Sequence, residues 1–156
     1  MKKYVFTILL STLALISFAP NIPRSQIEFQ EKQAKLKEVQ LELKKGILIK
    51  AISFFESRHN PNAINIAENA VGILQIRPIM VREVNRILGD NVYTLRDRFN
   101  VSKSIEMFLI VQNYYNPNFN YEIAARIWNG GGNGMKISKT LKYWKEIEKQ
   151  IKKING

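Results

Sequence analysis

The apolar positions of this chain recur mostly at intervals of three and four residues, the spacing that lines side chains along one face of a helix. Leu36, Val39, Leu43 and Ile47 mark such a face in a segment, Ser25 to Lys45, otherwise rich in the strong helix formers Glu, Lys and Gln. The pattern predicts an amphipathic helix with a solvated charged side, either packed on the domain or extending as a stalk. Gly46 is read as a break. From Ile47 to Arg58 the residues Ile47, Leu48, Ile49, Ala51, Ile52, Phe54 and Phe55 leave little polar surface on any side, which is the pattern of a helix in the middle of a core. Asn60-Pro61 must end it, since proline cannot continue the hydrogen-bond ladder and disfavours helical geometry in the residue before it. Glu56 lies seven residues after Ile49 and four after Ile52, so it shares their face and points toward the interior or a cleft cut into it.

Farther along, Asn60 to Ala63 is turn material, the polar connector through Asn69 is loop, and Val71 to Ile76 is loop or short extended structure leading to Pro78. A helix is predicted from Ile79 through Met80, Val84 and Ile87 to a stop at Gly89. Asp90 to Asn100 carries no clear pattern. Ser102 is read as the N-cap of a helix bearing Ile105, Phe108, Leu109, Val111 and Gln112 and ending at Asn116-Pro117. A short helix near Tyr121 to Trp128 breaks at the run Gly130 to Gly134. The last helix, Ser138 to Lys153, shows an apolar face through Leu141, Trp144, Ile147, Ile151 and Ile154. No alternating run is long enough to demand a strand and no segment repeats. The class is all-α, with room for a small irregular or hairpin insertion.

Length and composition sharpen this only in places. A chain of 156 residues, 46% hydrophobic and 24% charged, supports one globular domain with a real core. With no cysteine and a single histidine, His59, neither disulfides nor a metal site nor any other cofactor is expected. His59 is read as a packing or surface residue. The formal charge of +11 points to a polyanionic partner: nucleic acid, anionic lipid or a bacterial cell wall. The N-terminus narrows that choice. Lys2-Lys3 precedes the apolar run Tyr4 to Phe18, with Ser17 and Ala19 as small residues before Pro20, the arrangement of a secretory signal peptide. No charge falls between Lys3 and Arg24, so residues 4–18, if retained, are a short membrane anchor. The expected organisation is a signal peptide or anchor over 1–19, a linker over 20–24 and one folded domain over 25–156. An exported chain is expected in the periplasm or cell envelope, acting as a monomer on the wall rather than on nucleic acid.

The candidate chemistry centres on Glu56. A glutamate at the C-terminal end of an apolar helix is desolvated and faces the negative end of the helix dipole, and both hold its proton on. A carboxyl group neutral near physiological pH is what a general acid for glycosidic cleavage requires. From spacing alone, a structural Glu paired with an Arg or Lys is the leading reading. Trp128, Trp144, Tyr114 and Tyr115 are by default core aromatics, and the Lys-rich last helix a solvated face with some affinity for an anionic wall.

Four stretches, taken in order, decide between these readings. Glu56-Ser57, Asn60-Pro61-Asn62-Ala63, Gly72-Ile73-Leu74-Gln75-Ile76 with Pro78, and Ile127-Trp128-Asn129-Gly130-Gly131 resemble the successive motifs of the soluble lytic transglycosylase family, which has a lysozyme-like fold with a substrate cleft. The resemblance covers about Ile47 to Tyr143. Carried over by position, it makes Glu56 the catalytic acid and Ser57 the neighbour that helps to hold the site. It places Gln75 and Asn129 in the cleft, with Gly72 and Gly130 allowing close approach of backbone and substrate. Two departures stand out. Trp128 replaces a tyrosine whose hydroxyl, in the family, hydrogen-bonds near the catalytic Glu, and the connector over Asn65 to Ala70 is one residue longer than the commonest form. Trp128 can still wall the site or carry a sugar, and Tyr143, in a Thr140-x-x-Tyr143 pattern like one late in the family's domain, is the candidate for the missing hydroxyl.

The resemblance implies cleavage of the β-1,4 bond between N-acetylmuramic acid and N-acetylglucosamine in peptidoglycan. Glu56 would serve as acid and then as base, leaving a 1,6-anhydro-muramyl end, with no second carboxylate. Should Glu68, Glu83, Asp90 or Asp97 face Glu56 across the cleft, hydrolysis of the goose-type lysozyme kind becomes the better reading. A wall-binding or envelope-assembly module without turnover is the third.

Overall fold

The computed structural model describes residues 23–156, and the expected signal peptide or anchor over 1–19 lies outside the described residues. Backbone contacts divide the chain into two units, one ending at Gln40 and one spanning Leu41–Gly156. No described helix is long and apolar enough to cross a membrane.

The first of the described helices, α1 (Arg24–Ser57), runs without interruption through Gly46. Gly46 is exposed, and a side chain added there would meet nothing within 4 Å. The expected break is therefore corrected. One exposed glycine costs about 1 kcal/mol relative to alanine, too little to interrupt a ladder continued on both sides by good helix formers. Within the second unit α1 becomes the centre of the core, with Leu48, Ala51 and Ile52 fully buried. It ends where Asn60-Pro61 requires. Arg58 and His59 turn into the left-handed region, and the His59 N–H reaches back six residues to the Ser53 carbonyl at 3.2 Å, which closes the end of the helix. The Asn60 side chain accepts from the Asn62 N–H at 2.9 Å and tightens the turn.

A two-stranded antiparallel hairpin follows, β1 (Ile64–Asn65) and β2 (Ala70–Val71), paired Ile64 to Val71 and Asn65 to Ala70. This is the small insertion the all-α reading left room for. Val71 also bridges to Ile76, which folds Gly72 to Gln75 into a tight loop.

Four more helices complete the unit: α2 (Pro78–Leu88), α3 (Val101–Tyr115), α4 (Tyr121–Gly130) and α5 (Ser138–Asn155). Helix α2 packs on α3, α3 on α4, and α4 extensively on α5. Pro78 opens α2, where its missing N–H is no loss, and Gly89 closes it in the left-handed region. Helix α3 starts two residues earlier than the sequence suggests: Asn100 is its N-cap, accepting from the Lys103 N–H at 3.0 Å, and Ser102 is already helical. A 3₁₀ turn over Leu95–Phe99 delivers the chain to Asn100 and fixes that start.

On α5 the buried positions are Thr140, Tyr143, Ile147 and Ile151, while Leu141 stays exposed. The apolar face read from the sequence is thus rotated toward two residues with hydroxyls. Thr140 earns its burial by donating to backbone carbonyls while accepting from Arg126 Nε at 3.1 Å. The core joining these elements includes Leu48, Ile52, Leu74, Met107, Phe108 and Ile147, each large side chain contributing about 1.5–3 kcal/mol on burial.

Candidate active site

Glu56 is the next-to-last residue of α1 and opens into a cleft lined also by Asn65, Glu68, Gln75, Arg77, Met80, Trp128 and Asn129. The cleft is narrow and open to solvent. Its walls come from α1, the hairpin, the loop before α2, and the end of α4, so segments distant in sequence meet around one carboxyl group.

That carboxyl group is partly buried, and its pKa is pushed up to about 7. Burial is the main cause. The Tyr143 hydroxyl, donating to Glu56 Oε1 at 2.7 Å, works in the opposite direction by stabilising the carboxylate. The Glu68 charge raises the value further and the Arg77 guanidinium lowers it. Tyr143 is itself almost fully buried, and burial beside Glu56 keeps its phenol well above the ordinary tyrosine range, so it remains a donor. Phe55 meets the Tyr143 ring edge-on at 5.3 Å and helps to set its orientation.

The motif residues divide into those that face the cleft and those that build it. Gln75, Trp128 and Asn129 line it with Glu56. Gln75 sits in the left-handed region at φ 49, and its side-chain nitrogen donates to the carbonyls of Gly72 (3.0 Å) and Ala63 (3.3 Å). With both N–H bonds so engaged, its carbonyl oxygen is the group left for a ligand. Trp128 is mainly a core residue, packed edge-on against Phe108 at 5.1 Å with 5% of its surface exposed, and only that remainder reaches the cleft.

Ser57 lies outside the cleft lining. Its hydroxyl lies within donating distance of the carbonyls of Ile73 (2.8 Å) and Ser53 (3.2 Å), tying the end of α1 to the loop that carries Gln75. Its place is that of a positioning residue. The two glycines also have a different physical reason from close approach to a sugar. Gly72, at φ 81, could not carry a side chain because its Cβ would stand 2.0 Å from the Arg98 carbonyl oxygen. Gly130 faces Thr140, whose methyl carbon would be 2.7 Å from an added Cβ. Both glycines let protein pack on protein.

Several contributors had no reading in the sequence. Arg98, from the unpatterned segment before α3, is buried and donates to the carbonyls of Leu95 (2.8 Å), Asn69 (2.9 Å) and Ile76 (3.1 Å), holding the hairpin and the Gln75 loop together. No periodicity could mark a side chain whose partners are backbone atoms of other segments. Arg77, likewise without a reading in the sequence, lines the cleft together with Glu68, one of the candidate second carboxylates. His59 is a surface residue: it is exposed, its Nδ1 lies 2.7 Å from Ser53 Oγ, and its ring meets Phe54.

Comparison with family models gives one decisive observation: the model of the transglycosylase SLT domain matches residues 32–151. The chain belongs to the transglycosylase SLT family. The all-α lysozyme-like architecture with its small hairpin is consistent with that membership. Membership sets the substrate class as peptidoglycan and the place of action as the cell envelope. No curated protein gives a significant match to the chain.

Proposed function

We propose that this SLT-domain protein is a lytic transglycosylase that cleaves the β-1,4 bond between N-acetylmuramic acid and N-acetylglucosamine through Glu56. The observation that supports this most is a protonatable carboxyl group of pKa about 7 in an open cleft, held at 2.7 Å by the hydroxyl of Tyr143. At neutral pH a large fraction of such a group carries the proton that the leaving oxygen needs.

In the first step Glu56 donates its proton to the glycosidic oxygen. The bond from the muramyl C1 breaks with its electron pair going to that oxygen, and the substrate's own acetamido oxygen shares the positive charge at C1. In the second step the Glu56 carboxylate takes the proton of the C6 hydroxyl as that oxygen attacks C1. The ring closes to the 1,6-anhydro product, no water is consumed, and Glu56 is protonated again. Tyr143 fits the part assigned to the family tyrosine replaced by Trp128. It stabilises the carboxylate formed after the first transfer and fixes which Glu56 oxygen remains free.

Glu68 motivates a second reading, which stays second because the side chain is exposed and no hydrogen bond or ion pair among the described residues holds its carboxylate in place. It stands on the hairpin, lines the same cleft and acts electrostatically on Glu56, as a water-activating base would in a muramidase. Mass spectrometry of digested peptidoglycan separates the readings: anhydro-muramyl ends are expected, reducing muramyl ends would establish hydrolysis, and intact glycan would leave a binding module.

A further inference from the structure

Several arginines outside the cleft lining are committed to protein partners. Arg86 pairs with Glu83 at 2.7 Å, Arg126 pairs with Glu122 at 2.8 Å and donates to the Met135 carbonyl, and Arg98 is spent on three backbone carbonyls. Arg77 differs. Among the described residues it forms no ion pair, and its one hydrogen bond runs from Nη2 to the Asn129 carbonyl at 3.1 Å. That bond anchors one arm of the guanidinium to another cleft residue and leaves most of its five donors for something else.

Its position is fixed and central. Arg77 stands between buried Ile76, bridged to Val71, and Pro78, the first residue of α2. It lines the cleft of Glu56 and also an adjoining hollow shared with Met80, Glu83, Tyr115 and Gly131. A strand of glycan seated over Glu56 and continuing into that hollow passes the guanidinium. Sugar hydroxyls and acetamido groups are neutral and need no such cation. The charge on this polymer lies on the lactyl branch of the muramyl unit, as the lactyl carboxylate itself or as carboxylates of a peptide attached to it. A planar guanidinium matches a carboxylate in geometry as well as charge.

We infer that Arg77 is a specificity-determining residue that pairs with a carboxylate on the lactyl branch of the bound muramyl unit, so that the cleft favours acidic over neutral glycan. This rests on the peptidoglycan reading above. The electrostatic influence of Arg77 on Glu56 agrees with a guanidinium turned toward the cleft.

The test uses the full chain carrying Glu56→Gln, so that ligands are not consumed, and calorimetry with three muramyl tetrasaccharides: the free lactyl acid, its lactamide, and a form bearing the stem peptide. At least one of the two acidic ligands is expected to bind about tenfold more tightly than the lactamide, and whichever does so locates the carboxylate on the lactyl group or on the peptide. Adding Arg77→Met should bring that ratio to about one, with Arg77→Lys keeping part of it. Should Arg77→Met fail to fold, the ratio in the Glu56→Gln protein alone should shrink as salt is raised. Equal binding of all three ligands, or a preference that survives Arg77→Met, overturns the inference and leaves the peptidoglycan reading intact. Failure of every glycan to bind overturns the peptidoglycan reading itself.

Discussion

At the residue scale the protein turns on a carboxyl group whose environment conflicts with its charge. Replacing it with the neutral isostere, Glu56→Gln, removes proton donation and should lower turnover of peptidoglycan by about 10²–10⁴-fold, measured by release of soluble muropeptides. The pKa of about 7 has a definite sign. The protonated form is the active acid, so kcat/KM should fall as pH rises through about 7. Stability should already fall at lower pH, between 4.5 and about 7. The folded protein holds its proton more tightly than the unfolded chain, so ionisation between the ordinary value of 4.5 and about 7 works against folding. Glu56→Gln should therefore be more stable than the parent at pH 8, by up to about 3 kcal/mol on the linkage arithmetic, and should lose that advantage below pH about 4.5. Thermal melts of both proteins across pH 4 to 8 check this, and a constant difference would contradict it. Tyr143→Phe removes the bond that favours the carboxylate, so the alkaline limb of its activity profile should move upward while turnover falls.

At the scale of the element, a glycine inside a family motif and one outside it behave oppositely. Gly46 lies in α1 with open space around it, so Gly46→Ala should stabilise the protein by about 0.5–1 kcal/mol in urea unfolding with activity unchanged. Gly72 combines a positive φ with a backbone oxygen where a Cβ would stand. Gly72→Ala should cost about 3 kcal/mol or more and displace the loop that presents Gln75. Such differences are invisible in composition. The letters at positions 46 and 72 are the same, and only the φ angle and the approach of Arg98 tell them apart. Helix α5 teaches the same lesson in its register. Its three- and four-residue spacing was readable, but Tyr143 and Thr140, rather than Leu141, became the buried centre because Glu56 and Arg126 supply partners for their hydroxyls.

Across the whole molecule, a formal charge of +11 must meet an anionic polymer. Association with intact peptidoglycan sacculi should weaken steeply as salt is raised from about 50 to 300 mM, since exposed charges lose their reach as the screening length contracts. Cleavage of a short soluble glycan, which touches only the cleft, should fall much less. Sedimentation of the protein with sacculi and turnover of the soluble glycan, followed in parallel, check this.

The sequence by itself determined the helical class, the end of α1 at Asn60-Pro61, the placement of Glu56 at the end of a buried helix, and the order of motifs that resembles the SLT family. Those features are local, set by side-chain period, proline geometry and spacing along the chain. What surrounds Glu56 was decided by tertiary structure alone. The hairpin brings Glu68 to the cleft, α5 brings Tyr143 across 87 positions of chain to within 2.7 Å, and Arg77 meets the Asn129 carbonyl across 52. Pairings at such separations leave no period in the sequence, because their energy comes from burial and hydrogen bonding between segments that only the folded core holds together.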